Sequence, residues 1–220
     1  YTFWKTMMSQ LYPEIIVESK KNNSELVKAV RRLEDSENKY IIVLDNAFDN
    51  LQAIMEQKRL HEFAAEKENV ILLDIICFEF ILLEFRNLIE WVYAPNDEFL
   101  RKRAKAIAAR ESLVNCILTG NAAYADEKEI AEYDENLTGY NIEQLSAKLL
   151  FDLTRNTGFE VTKGVLGDCW TLSCCDWTKR EENDICGLDS RRLSVYDKMR
   201  NIYENTCLQK QLQIAGLETV

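Results

Sequence analysis

Acidic residues follow two apolar runs of this sequence, and an aspartate comes directly after each run. The four are Asp45 and Asp49, after residues 40–44, and Asp74 and Glu79, after residues 70–73. If the two runs are neighbouring strands of a parallel sheet, roughly 4.8 Å apart, residues just past their carboxyl ends meet at one edge. Converging carboxylates repel one another unless they are protonated or neutralised. Because their oxygens are hard ligands, these four residues predict a Mg²⁺ or Mn²⁺ site.

A structural interpretation of the same residues stands beside the metal site. Aspartates that follow strands often cap helices or form turns. Asp49 in particular lies where it could cap the next helix. Spacing alone leaves both interpretations open.

Four of the seven cysteines lie within eighteen residues of one another. They are Cys169, Cys174, Cys175 and Cys186. Four thiolates can hold a structural Zn²⁺ in tetrahedral geometry and so stabilise a short segment that has little core of its own. Their spacing differs from the paired CxxC pattern, and a redox-active disulfide or buried reduced thiols are the alternatives.

One basic run could contact phosphates. It contains Arg101, Lys102, Arg103 and Lys105, with Arg110 further along the same predicted helix. Such a run can bind nucleic acid, although a solvated helix face is the commoner meaning. The whole chain carries a net charge of -10, which repels nucleic acid and anionic membrane. A role on phosphates therefore requires this local patch, a divalent metal or a partner.

The elements that must position the acids alternate between helix and strand. Strands are predicted at residues 14–18, 40–44 and 70–73, separated by segments whose apolar residues recur at helical spacing. The strands are continuous apolar runs, as a parallel sheet covered on both faces requires. The order predicts an α/β fold, a small parallel sheet flanked by helices, over residues 1–94.

The pattern changes after residues 94–97, and residues 95–220 are predicted to form a mainly helical second domain with the cysteine-rich segment. Helices are expected at residues 99–118, from about 141 to 153 after an Asn141–Gln144 capping box, and at 190–207. The polar stretch 121–139 is predicted to be a loop.

The composition of the chain limits the classes of protein to which it can belong. Hydrophobic residues make up 47% of the 220, with 7 glycines and 2 prolines, which favours a folded core. The longest apolar stretch, residues 75–93, contains charged residues and predicts a buried helix, not a membrane span. The odd number of cysteines and the absence of an export leader favour a reduced, cytoplasmic environment. Because the sequence opens inside a predicted helix, we expect residues to precede Tyr1.

Residues 1–93 resemble the TOPRIM domain of OLD-type nucleases and related bacterial antiphage-defence proteins. Residues 44–50, Leu-Asp-Asn-Ala-Phe-Asp-Asn, resemble the family's DxD motif, with Ala47 at the second acid. Residues 77–83, Cys-Phe-Glu-Phe-Ile-Leu-Leu, resemble the element whose glutamate opens a helix. The aromatic residues 1–5 resemble the helix that follows a glutamate-bearing strand, which would precede this sequence.

The resemblance implies a Mg²⁺-dependent nuclease subunit that cleaves phosphodiester bonds, with Asp45 and Glu79 as catalytic residues. It also implies a DNA or RNA substrate and a protein partner or homo-oligomer, with no membrane. The main alternative is a degenerate module, inactive because of Ala47, that acts as a sensor or assembly subunit through protein partners. A receiver-type domain with Asp45 as phosphoacceptor is a third, weaker interpretation.

Overall fold

The first part of the chain is an α/β unit built on two parallel strands. The computed structural model describes residues 1–94, 96–137, 139–176, 178, 186–188 and 192–217. The elements up to residue 92 are helices α1 (Thr2–Leu11), α2 (Asn23–Arg31), α3 (Leu51–Ala64), α4 (Phe78–Glu84) and α5 (Leu88–Val92), and strands β1 (Tyr40–Asp45) and β2 (Val70–Ile75). This confirms the predicted α/β class with a small parallel sheet flanked by helices.

Both faces of the sheet are covered, because alternate side chains enter two different clusters. One cluster, the small core, consists of Val27, Val30, Leu44, Leu60, Ala64 and Val70. The other, the main core, includes buried side chains from Phe3 in α1 to Ala215 near the carboxyl end of the described chain. Ile41 and Val43 face the main core, whereas Leu44 faces the small core. This double cover explains why the strands are continuous apolar runs.

The predicted strand at residues 14–18 is wrong. Among the described residues the parallel sheet has only β1 and β2, and residues 15–20 have no regular structure. Ile15 and Val17 pack against the main core, but Ile16 between them is 87% exposed. The segment therefore contributes alternate side chains to the core without joining the sheet.

The helix predicted from Phe78 to Tyr93 is interrupted between α4 and α5. Phe85 leaves the helical conformation at φ -51°, ψ 115°. The buried guanidinium of Arg110 donates hydrogen bonds to the carbonyl oxygens of Leu83 (2.7 Å) and Phe85 (2.9 Å). Arg110 thus supplies a donor to the carbonyl oxygen of Leu83 at the break and a second donor to that of Phe85, which also accepts from the amide of Leu88 at 3.0 Å.

The buried face of α3 also differs from the prediction. The helix buries Ala53 and Leu60 together with two polar residues, Glu56 and Gln57. Leu51, Ile54 and Met55, whose helical spacing predicts this helix, are exposed to 73%, 43% and 45%. Glu56 is accommodated because its Oε1 accepts hydrogen bonds from Ser24 Oγ and Gln52 Nε2.

The second part of the described chain consists mainly of helices. They are α6 (Phe99–Lys102), α7 (Ala104–Leu118), α8 (Lys128–Tyr133), α9 (Ile142–Thr154), α10 (Asp168–Thr171), α11 (Val195–Glu204) and α12 (Leu208–Ile214), with 3-10 turns at Tyr124–Asp126 and Glu135–Leu137 and a hairpin of β3 (Val161–Thr162) and β4 (Val165–Leu166). None of the described helices has both the length and the apolar character that crossing a membrane requires.

Three predictions about this part can be compared with the structure. The capping box of α9 is confirmed, since Asn141 and Gln144 each accept a backbone hydrogen bond from the other residue. The loop predicted at 121–139 is wrong in part, because it contains α8 and a buried Tyr124. The helix predicted at 190–207 is shorter in the structure, because α11 begins only at Val195, after a cap formed by Ser194 and Asp197, and ends at Glu204; residues 190 and 191 lie outside the described residues.

The main core extends across the boundary predicted near residue 95. Buried side chains of α4 and α5 and those of α7, α9 and α11 belong to the same cluster. α4 packs directly against α9. This contact brings the amino-terminal ends of two helices from distant parts of the sequence towards the sheet edge that carries Asp45. Pro95 itself lies outside the described residues.

Candidate functional site

Asp45 and Glu79 both lie at the carboxyl edge of the sheet, near enough for the charge of Asp45 to raise the pKa of Glu79. Asp45 is the last residue of β1, and Glu79 is the second residue of α4. The backbone amide of Asn46 donates hydrogen bonds to the carbonyl oxygens of Ile75 (3.0 Å) and Ile76 (2.8 Å). These bonds hold the chain that leads into α4 beside the end of β1, so the structure brings these two predicted acids together.

The surroundings of both carboxyl groups favour their protonated forms. Burial raises the pKa of Asp45 to about 6, and the negative charge of Glu143 adds to the effect. Burial raises the pKa of Glu79 to about 7, and the charges of Asp45 and Glu143 add to it, although the amide of Glu79 itself opposes the shift. Two partly buried carboxyl groups whose ionisation is disfavoured mainly by burial form a site where a cation is favoured.

Glu143 is a third acid of this site, and the sequence prediction missed it. It lies in the first turn of α9, where acidic residues are common because they complement the helix dipole. Its negative charge raises the pKa of both Asp45 and Glu79. Nothing in the sequence distinguishes Glu143 from an ordinary first-turn glutamate, since tertiary contacts of α9 bring it here, among them its packing against α4.

Asp49, a predicted metal ligand, instead binds the amino-terminal end of α9. Its carboxylate accepts hydrogen bonds from the backbone amide of Ile142, at 3.0 and 3.2 Å, and from the hydroxyl of Tyr124. Asn50, the next residue, caps α3. The carboxylate of Asp49 therefore joins two distant segments of the chain. In this structure it does not cap α3, and its oxygens bind protein donors instead of lying with Asp45 and Glu79 as the metal-site prediction requires.

Asp74, the fourth predicted ligand, lies on the other face of the sheet. In the parallel register Leu44 is opposite Asp74 and Asp45 is opposite Ile75, and successive side chains of a strand point to opposite faces. Asp74 is exposed; its carboxylate accepts a hydrogen bond from Asn46 Nδ2 at 3.0 Å, and its amide donates to Gln211 Oε1 at 3.0 Å. The structure does not bring Asp74 to Asp45 and Glu79.

The remaining position of the DxD-like motif, Ala47, is completely buried in the main core. The motif therefore supplies one acid to the site, Asp45. In the part of the chain that the structure describes, no three histidine, cysteine, aspartate or glutamate side chains are grouped closely enough to hold a metal ion. Mg²⁺, however, usually keeps several waters and binds one or two carboxylates instead of a complete protein cage. The pair Asp45 and Glu79 suits that mode of binding.

The predicted zinc ligands share one region without forming a metal cage. All seven cysteines are among the described residues, and no disulfide joins any two of them. Burial raises the pKa of Cys169 to about 11; Lys198 opposes the shift, and the thiols of Cys186, Cys175 and Cys174 add to it. The buried ammonium of Lys198 donates hydrogen bonds to the carbonyl oxygens of Cys169 and Leu172, both at 2.8 Å. These bonds attach the cysteine-rich segment to α11.

The basic run is divided between surface and interior. Arg101, Lys102 and Lys105 are exposed, as the prediction requires. Arg103 is only 6% exposed, and its guanidinium donates hydrogen bonds to the hydroxyl of Tyr93 and to the carbonyl oxygen of Arg155. Arg103 therefore stabilises the fold, and only the other three of these four side chains can reach phosphates in solvent.

Comparisons with other proteins supply no family. The chain matches no protein-family model, no curated protein and no solved structure. The fold and the site therefore define its class: an α/β protein with a pair of interacting carboxyl groups at the carboxyl edge of a parallel sheet.

Proposed function

We propose that this chain is a TOPRIM-like, Mg²⁺-dependent nuclease subunit, of the kind that serves in bacterial antiphage defence. The observation that carries the proposal is the proximity of Asp45 and Glu79, which come from consecutive strand-to-helix connections. Parallel sheets bind ligands at this carboxyl edge. The resemblance of residues 44–50 and 77–83 to the TOPRIM motifs supports the same two acids.

The residues have distinct roles in this proposal. Asp45 and Glu79 are the metal ligands, and Glu143 adds negative charge beside them. Mg²⁺ bound there would orient and polarise a phosphate group and activate water for its hydrolysis. The exposed cations Arg101, Lys102 and Lys105 are the candidates for contacts with the nucleic-acid backbone.

A second function is favoured by Ala47. Because this alanine is buried at the position of the second DxD acid, the chain lacks one carboxylate of the motif it resembles. A net charge of -10 also suits binding to basic protein partners. The second candidate is therefore a degenerate TOPRIM-like module that acts as a sensor or assembly subunit.

A cleavage assay with matched variants tests the nuclease proposal. Plasmid DNA, single-stranded DNA and RNA including tRNA would be incubated with the protein and Mg²⁺, Mn²⁺ or EDTA. We expect metal-dependent cleavage that Asp45→Asn and Glu79→Gln each abolish. Asp74→Asn is the matched control, because its acid lies at the same sheet end on the opposite face.

Two outcomes would overturn the nuclease proposal. One is equal cleavage by the wild type and Asp45→Asn, which would indicate a contaminant. The other is the absence of cleavage by the wild type with its partners present. A stable co-purifying partner and a melting temperature unchanged by Mg²⁺ would then favour the degenerate module.

A further inference from the structure

Asp49 connects the acidic site to a helix almost one hundred residues away in sequence. It lies four residues after Asp45, in the connection from β1 to α3, and its carboxylate accepts a hydrogen bond from the amide of Ile142. Ile142 is the first residue of α9, and Glu143 is the second. One contact thus links the residue just before Glu143 to the loop that begins at Asp45.

The contact has the features of a strong anchor. Backbone amides at the start of a helix have no partner within the helix, and a carboxylate there also interacts favourably with the helix dipole. Hydrogen bonds to charged groups are stronger than neutral ones. The side chain of Ile142 is completely buried, whereas Asp49 itself is exposed, so the bond lies at the boundary between the main core and solvent. The hydroxyl of Tyr124, itself on a buried residue, donates a further hydrogen bond that fixes Asp49.

The other interactions at the start of α9 act within the helix or between apolar side chains. The capping box joins Asn141 and Gln144 to each other, and therefore acts within the helix. The buried residues Ile142, Leu145 and Leu149 hold the helix against the main core, and the hydrogen bond to Asp49 adds a directional contact at its first residue. Among the described contacts, the bond to Asp49 is the one that ties this first turn to the loop after β1.

We propose that Asp49 is a positioning residue that holds Glu143 beside Asp45 and Glu79, and that it thereby sets the affinity of the site for a divalent cation. The second part of this inference rests on the proposed function. Asp49 acts through the backbone of α9, and its two oxygens bind protein donors instead of the metal.

The anchoring can be tested without any metal. Amide hydrogen exchange, followed by NMR, would be compared in the wild type, Asp49→Asn and Tyr124→Phe, with Asp74→Asn as control. We expect Asp49→Asn to speed exchange of the Ile142 amide about tenfold or more, with a smaller effect in Tyr124→Phe and none in the control. Amides of β1 and β2 serve as the internal measure of global stability. Unchanged exchange at Ile142 in Asp49→Asn would overturn the anchoring.

A double-mutant cycle tests the effect on the cation. Mn²⁺ affinity would be measured by calorimetry for the wild type, Asp49→Asn, Glu143→Gln and the double variant. If Asp49 acts through Glu143, each single change weakens binding about tenfold, as loss of supporting residues around metals commonly does, and the double variant binds no more weakly than Glu143→Gln. Additive losses would overturn the positioning role, because they indicate a direct ligand or an independent effect.

The anchoring of α9 by Asp49 and its effect on cation affinity can be overturned independently of each other. If the wild type does not bind Mn²⁺, the proposed function and the effect on affinity are both overturned. The anchoring of α9 by Asp49 is then still decided by the exchange rates. If Mn²⁺ binds and the cycle is additive, the proposed function stands and the positioning role of Asp49 falls.

Discussion

Asp45 and Asp74 end neighbouring parallel strands, yet their side chains point to opposite faces of the sheet. The cause is the register, which pairs Asp45 with Ile75 and Asp74 with Leu44. Asp45 therefore lies on the same face as Ile41 and Val43, which pack against the main core, and Asp74 lies on the face of the small core. The two aspartates consequently make matched probes of the proposed cation site.

Mg²⁺ should stabilise the protein through Asp45 but not through Asp74. At pH 8, with Mg²⁺ at about one hundred times its dissociation constant, binding should add about 2.7 kcal/mol to the free energy of unfolding. The melting temperature should then rise by about 5 to 10 °C for a chain of this length. The rise, measured by thermal scanning, should vanish in Asp45→Asn and persist in Asp74→Asn. An equal rise in both variants would place the cation elsewhere.

Stability should fall as the pH rises through the range in which Glu79 ionises. The pKa of Glu79 is about 7 in the folded protein and 4.5 when unperturbed, so between these values the folded state binds more protons than the unfolded state. The free energy of unfolding therefore decreases from about pH 4.5 to pH 7 and levels off above it. Glu79 alone should account for a decrease on the order of 3 kcal/mol.

The difference between two variants isolates this effect from other titrations. Urea unfolding of wild type and Glu79→Gln would be measured at pH 5, 6, 7 and 8. Glu79→Gln cannot ionise, so it should gain stability relative to wild type as the pH rises. Glu62→Gln, an exposed change on α3, should follow the wild-type profile. Parallel profiles for wild type and Glu79→Gln would contradict this prediction, because they would show that ionisation of Glu79 does not lower the free energy of unfolding.

The position of Asp45 could be predicted from the sequence, whereas those of Asp74 and Glu143 could not. A continuous apolar run that ends in an acid is sufficient to place Asp45 at the edge of a parallel sheet. Asp74 follows a similar run, but a difference of one residue in register moves a side chain to the other face. Glu143 reaches the site only through tertiary contacts of α9, with α4 and with Asp49.

Buried polar side chains explain most of the remaining differences. Glu56 and Gln57 are buried in α3, whereas Leu51 is exposed. The positions of the apolar residues in α3 therefore do not predict which face of the helix is buried. Arg103 and Arg110 appear in the sequence as part of a basic surface, but both are buried and bind backbone carbonyl groups. Such hydrogen bonds depend on where distant chain segments lie, and local sequence does not encode that.

Arg110 should be essential to the stability of the helix break before α5. Replacement by methionine keeps much of the volume but removes the guanidinium donors from the carbonyl oxygens of Leu83 and Phe85, of which Phe85 keeps the amide of Leu88 at 3.0 Å. Loss of two charge-assisted hydrogen bonds in a buried place should cost about 2 to 5 kcal/mol. Urea unfolding measures the loss. Arg101→Met, an exposed change in the same basic region, should alter stability by less than about 0.5 kcal/mol.

Substitutions in the basic run should have two different effects. Changes at Lys102 and Lys105 should weaken binding of nucleic acid, whereas a change at Arg103 should destabilise the fold. Lys102→Ala with Lys105→Ala removes two exposed charges, so it should weaken binding to a fluorescent single-stranded oligonucleotide and lower the salt dependence of that binding, with little change in melting temperature. Arg103→Ala removes hydrogen bonds to Tyr93 and Arg155, so it should lower the melting temperature. Because Arg103 is buried and already bound to these groups, its removal should leave the salt dependence of any surviving binding unchanged. A change in salt dependence with Arg103→Ala at full stability would instead show that this guanidinium reaches a phosphate.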